Sequence, residues 1–254
     1  MPEVVEVGDS VEAVRLLERV FAGARLRGLR RLLEERGMIR RCSPLRLGGR
    51  VYAVDSAFPS SPVNLVGGSL SLVAVGAVRR GDAWRTLRRW LVYESFGDVD
   101  ADYVRGFARL QERRLAVSLE GPEAVIIDGE LVPRPGRSSV WSSVVEESRR
   151  LVGLAERGVL VAGVLKRSYS RTIASRLGLP VSDRALASAV LDRGEVLEAA
   201  HPSRELAERG CVEAFYKPLR GPPLAVKLEA CCPRGADCCG LAAFLASEAG
   251  ATGF

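Results

Sequence analysis

The 254-residue sequence predicts an α/β fold, a mixed β-sheet flanked by α-helices within a single domain. Three observations carry this. Apolar residues recur at helical spacing up to about residue 36. Strand-like runs then follow one another with only turns between them. From about residue 102 onward, helical and strand patterns alternate. At 47% hydrophobic and 27% charged, the composition suits a core-forming chain and excludes disordered and fibrous classes.

The elements read in order as follows. Asp9 and Glu12 form a capping box, and Val14, Leu17, Phe21 and Ala24 then lie on one helical face. Residues 50–57 (Arg-Val-Tyr-Ala-Val-Asp-Ser-Ala) are β-rich and end in a Pro/Ser/Asn loop; 67–78 and 86–95 continue as strands. A helix over about 102–117 precedes 123–129 (Glu-Ala-Val-Ile-Ile-Asp-Gly), a buried-strand pattern closed by a turn. Another amphipathic helix carries Trp141, Val144, Val145, Ser148, Leu151 and Val152 and leads to a strand at 159–165. Two short helices, strands near 211–217 and 224–230, and a last helix complete the chain. Residues 1–49 form an N-terminal helical, arginine-rich segment and 50–254 the core, with no linker long enough to separate domains.

The polar composition narrows the chemistry. Of 37 basic side chains only three are lysines, Lys166, Lys217 and Lys227; there is one histidine, His201, one asparagine, Asn64, and one glutamine, Gln111. A centre built from several histidines is excluded, so a bound metal must be held by carboxylates or thiolates. Scarce amides fit a heat-adapted source. Residues 2–10 show no signal peptide, and the longest apolar runs, such as 70–78, are too short to span a bilayer. A soluble, cytoplasmic protein without membrane association is expected. The cysteines stand at 42, 211, 231, 232, 238 and 239 and lack zinc-knuckle spacing. Free buried thiols are the first expectation, a disulfide clip the second and a soft-metal site the third.

Two acids fall where acids are costly. Asp55 follows Val51-Tyr-Ala-Val54 and Asp128 follows Val125-Ile-Ile127, each at the end of an apolar strand pattern. An unpaired carboxylate there carries a desolvation cost of roughly several kcal/mol, so each needs a cation. Side by side, the two would suit a hard divalent ion such as Mn²⁺ or Mg²⁺. The alternative is that both are turn residues, Asp128-Gly129 being a good turn dipeptide. Glu112 is the best third candidate, because it borders the apolar stripe of its helix; the alternative is a surface glutamate beside Arg109 and Arg113. Glu94, Glu120 and Glu123 are its rivals.

Basic charge is concentrated. Residues 25–50 hold nine arginines against Glu34 and Glu35, a net of +7, whereas the whole chain is +6. A second cluster, Arg79, Arg80, Trp84, Arg85, Arg88, Arg89 and Trp90, interleaves guanidinium forks with aromatic faces, as in single-strand binders. A third holds Lys166, Arg167, Tyr169, Arg171 and Arg176, where the compact lysine ammonium suits a point charge beside a phosphate. The alternative is that these are solvated faces, with Trp84 and Trp90 in the core.

Strand carboxylate, meander, helix carboxylate and second strand carboxylate form a ribonuclease-H-like order. The wording resembles the NurA nuclease family. Similar segments are 51–57 with Gly67-Gly68-Ser69-Leu70, then 124–131, 161–168, 182–186, and 214–217 followed by 224–229. The resemblance runs from about Arg50 to the C-terminus. It implies Asp55 and Asp128 as metal ligands and Glu112 as the helix glutamate in Arg109-Leu-Gln-Glu112. Lys166, Asp183 and Lys217 fall in recurrent family motifs. It further implies Mn²⁺-dependent cleavage of single- and double-stranded DNA, a homodimer, and partnership with a HerA-like hexameric ATPase in archaeal end resection.

Two departures stand out. The family's Asp-Gly-Ser is here Asp55-Ser56-Ala57, and the chain ends at Phe254, about where a family tail with further active-site residues begins. The expected function is therefore a metal-dependent DNA nuclease: Asp55, Glu112 and Asp128 hold the metal, Lys166 faces the phosphate, and Arg79, Arg80, Trp84, Arg85, Arg88, Arg89, Arg167 and Arg171 guide DNA. The alternative is a catalytically impaired DNA-binding or translocase-docking subunit.

Overall fold

The structure, a computed structural model, describes residues 23–82, 85–199 and 204–248. The capping box at Asp9 and Glu12, Trp84 and His201 lie outside the described residues. The helices are Gly23–Glu35 (α1), Ala101–Val117 (α2), Val140–Val152 (α3), Thr172–Arg176 (α4), Asp183–Val190 (α5), Arg204–Ala207 (α6) and Cys238–Glu248 (α7). The strands are Ile39–Arg41 (β1), Val51–Ala57 (β2), Val63–Leu65 (β3), Gly68–Arg79 (β4), Arg85–Ser95 (β5), Ala124–Asp128 (β6), Leu160–Leu165 (β7), Glu195–Glu198 (β8), Val212–Tyr216 (β9) and Val226–Cys231 (β10). They group into two compact units, one comprising 47–164 and 231–236 and the other the remaining segments.

The first unit carries a mixed sheet. β7, β6 and β2 run parallel, and β4 joins β2 antiparallel. The twelve-residue β4 also pairs with β3 at its start and with β5 along nearly its whole length. Alternation along β4 buries Ser69, Ser71, Val73, Val75 and Ala77, while the opposite face, shared with β5, leaves Leu72, Val78, Leu87, Leu91 and Tyr93 exposed. β6 is buried along most of its length because it is central, with parallel neighbours on both edges.

Helix α2 covers the buried side. Asp100 caps it by accepting the N–H of Asp102 at 2.9 Å. Asp102 in turn accepts the backbone N–H groups of Ser138 and Arg137 and the indole N–H of Trp141, which hold its pKa below the usual carboxylate range. Gly106 sets the approach of α3: a Cβ there would sit 2.4 Å from a Val140 methyl. Trp141, Val144 and Leu110 close this contact.

The second unit carries an antiparallel ladder, β1–β8–β9–β10. Its core joins Leu33 of α1 to Ile173, Leu186, Val190, Leu197 and Phe215. Three elements here are not evident in the sequence pattern: β1, β8 and α6 are only three or four residues long.

The cysteines overturn the first expectation. Among the described residues none is free, and Cys42 is bonded to Cys239 across 197 residues with Cα atoms 5.9 Å apart. Cys211, Cys231, Cys232 and Cys238 are also disulfide-bonded. Leu45 N–H donates to the carbonyl of Gly240, bringing the segment after β1 against α7 and Cys42 within bridging distance of Cys239.

Candidate active site

The register of the first unit sets the site. β2 and β6 pair in parallel through Val54 and Ile127, so Asp55 and Asp128 are neighbours one step further, Asp128 as the last residue of β6 and Asp55 two residues before the end of β2. Strands so paired lie about 4.8 Å apart and present equivalent positions on one face. Ser56 alternates to the other face, where its hydroxyl donates to Glu112 of α2. Asp55 is exposed, Asp128 partly buried, and Glu112 has no exposed surface.

A fully buried glutamate costs roughly several kcal/mol unless its charge is matched. Two arginines match this one. Arg113, also fully buried, donates to Glu112 Oε2 at 3.1 Å, to Ser148 Oγ at 2.8 Å, and to the carbonyls of Arg109 and Glu130. Burial pushes its pKa down to about 10, with Glu112 opposing and Arg109 reinforcing that fall. Arg109 donates to both Glu112 oxygens, at 3.2 and 3.0 Å, and to the Asp128 carbonyl. Burial works against the Arg109 charge, but Glu112, Asp128 and Asp55 outweigh it and raise its pKa above the ordinary arginine value.

Arg109 thus joins the Glu112 carboxylate to the backbone carbonyl of Asp128, and its charge is also favoured by the Asp128 and Asp55 carboxylates. The three predicted carboxylates are not drawn to a common ligand distance. Among the described residues, the group of three such ligand atoms lying within 4.8 Å of one another is Cys42, Asp237 and Cys239, two of which form a disulfide. The physical reason is the pleat: Asp55 and Asp128 point to one side of their strands, and Glu112 reaches Ser56 on the other. The donor set nonetheless suits a hard divalent ion. It is all oxygen, and Glu112 already holds one cation, the Arg109 guanidinium.

The rival glutamates lie away from these contacts. Glu123 accepts the N–H of Gly48 and lies 3.9 Å from Arg50, while Glu94 and Glu120 are exposed. Glu120 lines an open cavity of about 420 Å³ with Arg50, Tyr52, Arg79, Thr86 and Arg88. Arg79 pairs with Asp82; Arg80, Arg85, Arg88 and Arg89 are exposed. Trp90 packs edge-on against Phe107, with ring centroids 5.9 Å apart, so it is committed to packing.

The other candidates lie in the second unit with partners of their own. Asp183 is buried, and its carboxylate accepts the N–H groups of Thr172, Ile173 and Ala174, closing the first turn of α4. Lys217 donates to the carbonyls of Ser188 and Leu191 at the end of α5. Lys227 bridges Glu213 and Glu229, each at 3.1 Å. Burial works to lower its pKa, but Glu229 and Glu213 outweigh it and raise the pKa above the ordinary lysine value. Lys166, Arg167, Tyr169 and Arg171 form an exposed basic segment following β7. In the stretch 25–50, Arg30, Arg31, Arg40, Arg41 and Arg50 are engaged by acids, so much of that local excess is neutralised.

Sequence reasoning missed Arg109 and Ser56. The signal for Arg109 was its position one helical turn before Glu112; for Ser56, its place directly after the first aspartate.

No curated protein matches the chain. Among solved structures, NurA bound to dAMP and manganese is 13% identical with a TM-score of 0.57, covering 94% of this chain and 89% of that one. NurA with manganese is 14% identical with a TM-score of 0.57, covering 92% and 90%. The NurA nuclease from Sulfolobus solfataricus is 10% identical with a TM-score of 0.55, covering 91% and 85%. At these identities the likeness speaks to the fold. The family model of the NurA domain matches residues 49–228, which include Asp55, Glu112 and Asp128, and the chain belongs to the NurA nuclease family.

Proposed function

We propose that the chain is a divalent-metal-dependent DNA nuclease whose centre is Asp55, Glu112 and Asp128. The observation that carries this is the parallel register that sets Asp55 of β2 beside Asp128 at the end of β6, with the buried Glu112 tied to the same region through Ser56 and Arg109. Asp55 and Asp128, on adjacent strands, would hold a Mn²⁺ or Mg²⁺ ion together with Glu112. When bound, such an ion supplies a lowered pKa for water and charge stabilisation on the attacked phosphate. Arg113 fixes Glu112 from behind, and Ser56 orients its second oxygen. The exposed Arg80, Arg85, Arg88 and Arg89 of the first unit are proposed to guide single- and double-stranded DNA by backbone charge, and the exposed Lys166, Arg167 and Arg171 of the second unit to contact phosphates of the DNA.

The family reading extends further. We infer a homodimer acting with a HerA-like hexameric ATPase in DNA end resection and repair, in the cytoplasm of a heat-adapted archaeon. The exposed apolar face of Leu72, Leu87, Leu91 and Tyr93 supports association with a second copy. Among the described residues no helix is long and apolar enough to cross a membrane.

The test is digestion of labelled single- and double-stranded DNA with Mn²⁺ or Mg²⁺, by the wild type and by Asp55→Ala. Cleavage by the wild type alone is expected. Cleavage that survives Asp55→Ala overturns the assignment. DNA binding without cleavage in either metal decides for a catalytically impaired DNA-binding subunit.

A further inference from the structure

The two arginines at Glu112 are built differently. Arg113 is fully buried and spends its guanidinium on Glu112, Ser148 and two backbone carbonyls, so it has nowhere to go. Arg109 keeps 30% of its side chain exposed and makes its contacts at the open strand ends. Its place there is prepared. Gly129, directly after Asp128, has φ +106°, and a Cβ on it would lie 3.1 Å from both terminal nitrogens of Arg109. Both the backbone conformation and the space for the guanidinium therefore call for glycine.

We propose that Arg109 is an exchangeable counter-cation. It balances the buried Glu112 in the metal-free protein and must leave it before a divalent ion can be held, so the two cations compete for the same oxygens. This rests on the reading of Asp55, Glu112 and Asp128 as a metal site. Competition of this kind weakens the apparent metal affinity by the fraction of molecules in which the guanidinium has already withdrawn. The guanidinium also matches a carboxylate that has no exposed surface in the metal-free fold. Removing Arg109 should thus act in opposite directions on the two states, tightening metal binding and destabilising the metal-free protein.

The experiment follows free Mn²⁺ by electron paramagnetic resonance during titration of the wild type, Arg109→Gln and Arg109→Lys, with melting curves in chelator and in excess Mn²⁺. Arg109→Gln is expected to bind Mn²⁺ about tenfold tighter, corresponding to a guanidinium withdrawn in roughly a tenth of molecules. Its melting temperature in chelator falls, and Mn²⁺ raises it by more than it raises the wild type. Arg109→Lys, with the charge but not the fork, is expected to lie between the two. Should Arg109→Gln unfold in chelator, recovery of its far-ultraviolet circular dichroism on adding Mn²⁺ reads the same competition, and failure to recover overturns it. Binding by the wild type with equal or weaker binding by Arg109→Gln overturns the competition while leaving the metal site intact. No Mn²⁺ binding by any of the three proteins overturns the metal site itself.

Discussion

Asp183 and Glu112 are equally withdrawn from water, at 1% and 0% exposure, yet they answer to different partners. Asp183 turns its carboxylate onto three backbone N–H groups that a helix start leaves unpaired. Every such bond serves the fold, and the group has little capacity left for a ligand. Glu112 is met by side chains, the Ser56 hydroxyl and two arginines, one fixed and one at an open edge. Burial of an acid alone therefore does not mark a site. The difference lies in whether its counter-charge is built into the backbone or supplied by a group that can be exchanged.

Four substitutions break or sharpen this contrast. Glu112→Gln should lower the rate of DNA cleavage by about a thousandfold, equivalent to about 4 kcal/mol of transition-state stabilisation, read in single-turnover digestion. Asp183→Asn should do the reverse. Unsatisfied N–H groups at α4 would cost about 3 kcal/mol in denaturant unfolding, with cleavage per folded molecule unchanged. Equal loss of activity in both variants would erase the distinction.

Glu195 offers a milder case. Burial works to raise its pKa, but the hydrogen bonds from Arg30 and from the Asp192 N–H, with the charges of Arg30 and Arg41, together outweigh it, and the folded value falls below the unfolded value of 4.5. A depressed carboxylate stabilises above the unfolded pKa and loses that contribution as pH falls through the folded one. Glu195→Gln should therefore be about 2 kcal/mol less stable at neutral pH, the gap closing in acid below pH 4.5. The smallest effect belongs to the exposed arginines. Arg88→Ala should leave cleavage at saturating DNA unchanged and reduce the slope of log affinity against log salt by about one.

Much of this was legible in the sequence. The strands β2, β4, β5, β6 and β7 announced themselves through apolar patterning, and Asp55 and Asp128 through their place late in β2 and at the end of β6. Glu112 was visible from its border position on α2. What escaped was set by long-range pairing. β3, with its exposed Val63-Asn-Leu65, is a strand because β4 runs on past the end of β2 and offers it a partner. The link between Cys42 and Cys239 crosses 197 residues and has no local signature, so free thiols looked more natural. Asp183 and Lys217 read as chemistry because they sit in family motifs; the structure gives both carboxylate and ammonium backbone partners. Arg109 looked like a solvated neighbour of Glu112 because nothing in the helix alone shows that Asp128 and Gly129 come to meet it.

The central claim is that Asp55, Glu112 and Asp128 share one divalent ion. Anomalous scattering from crystals equilibrated with Mn²⁺ tests it most directly. The account predicts a manganese peak bounded by these three carboxylates, with the Arg109 guanidinium moved off Glu112. A crystal of cleavage-competent protein with manganese bound elsewhere, and Arg109 still on Glu112, would contradict it.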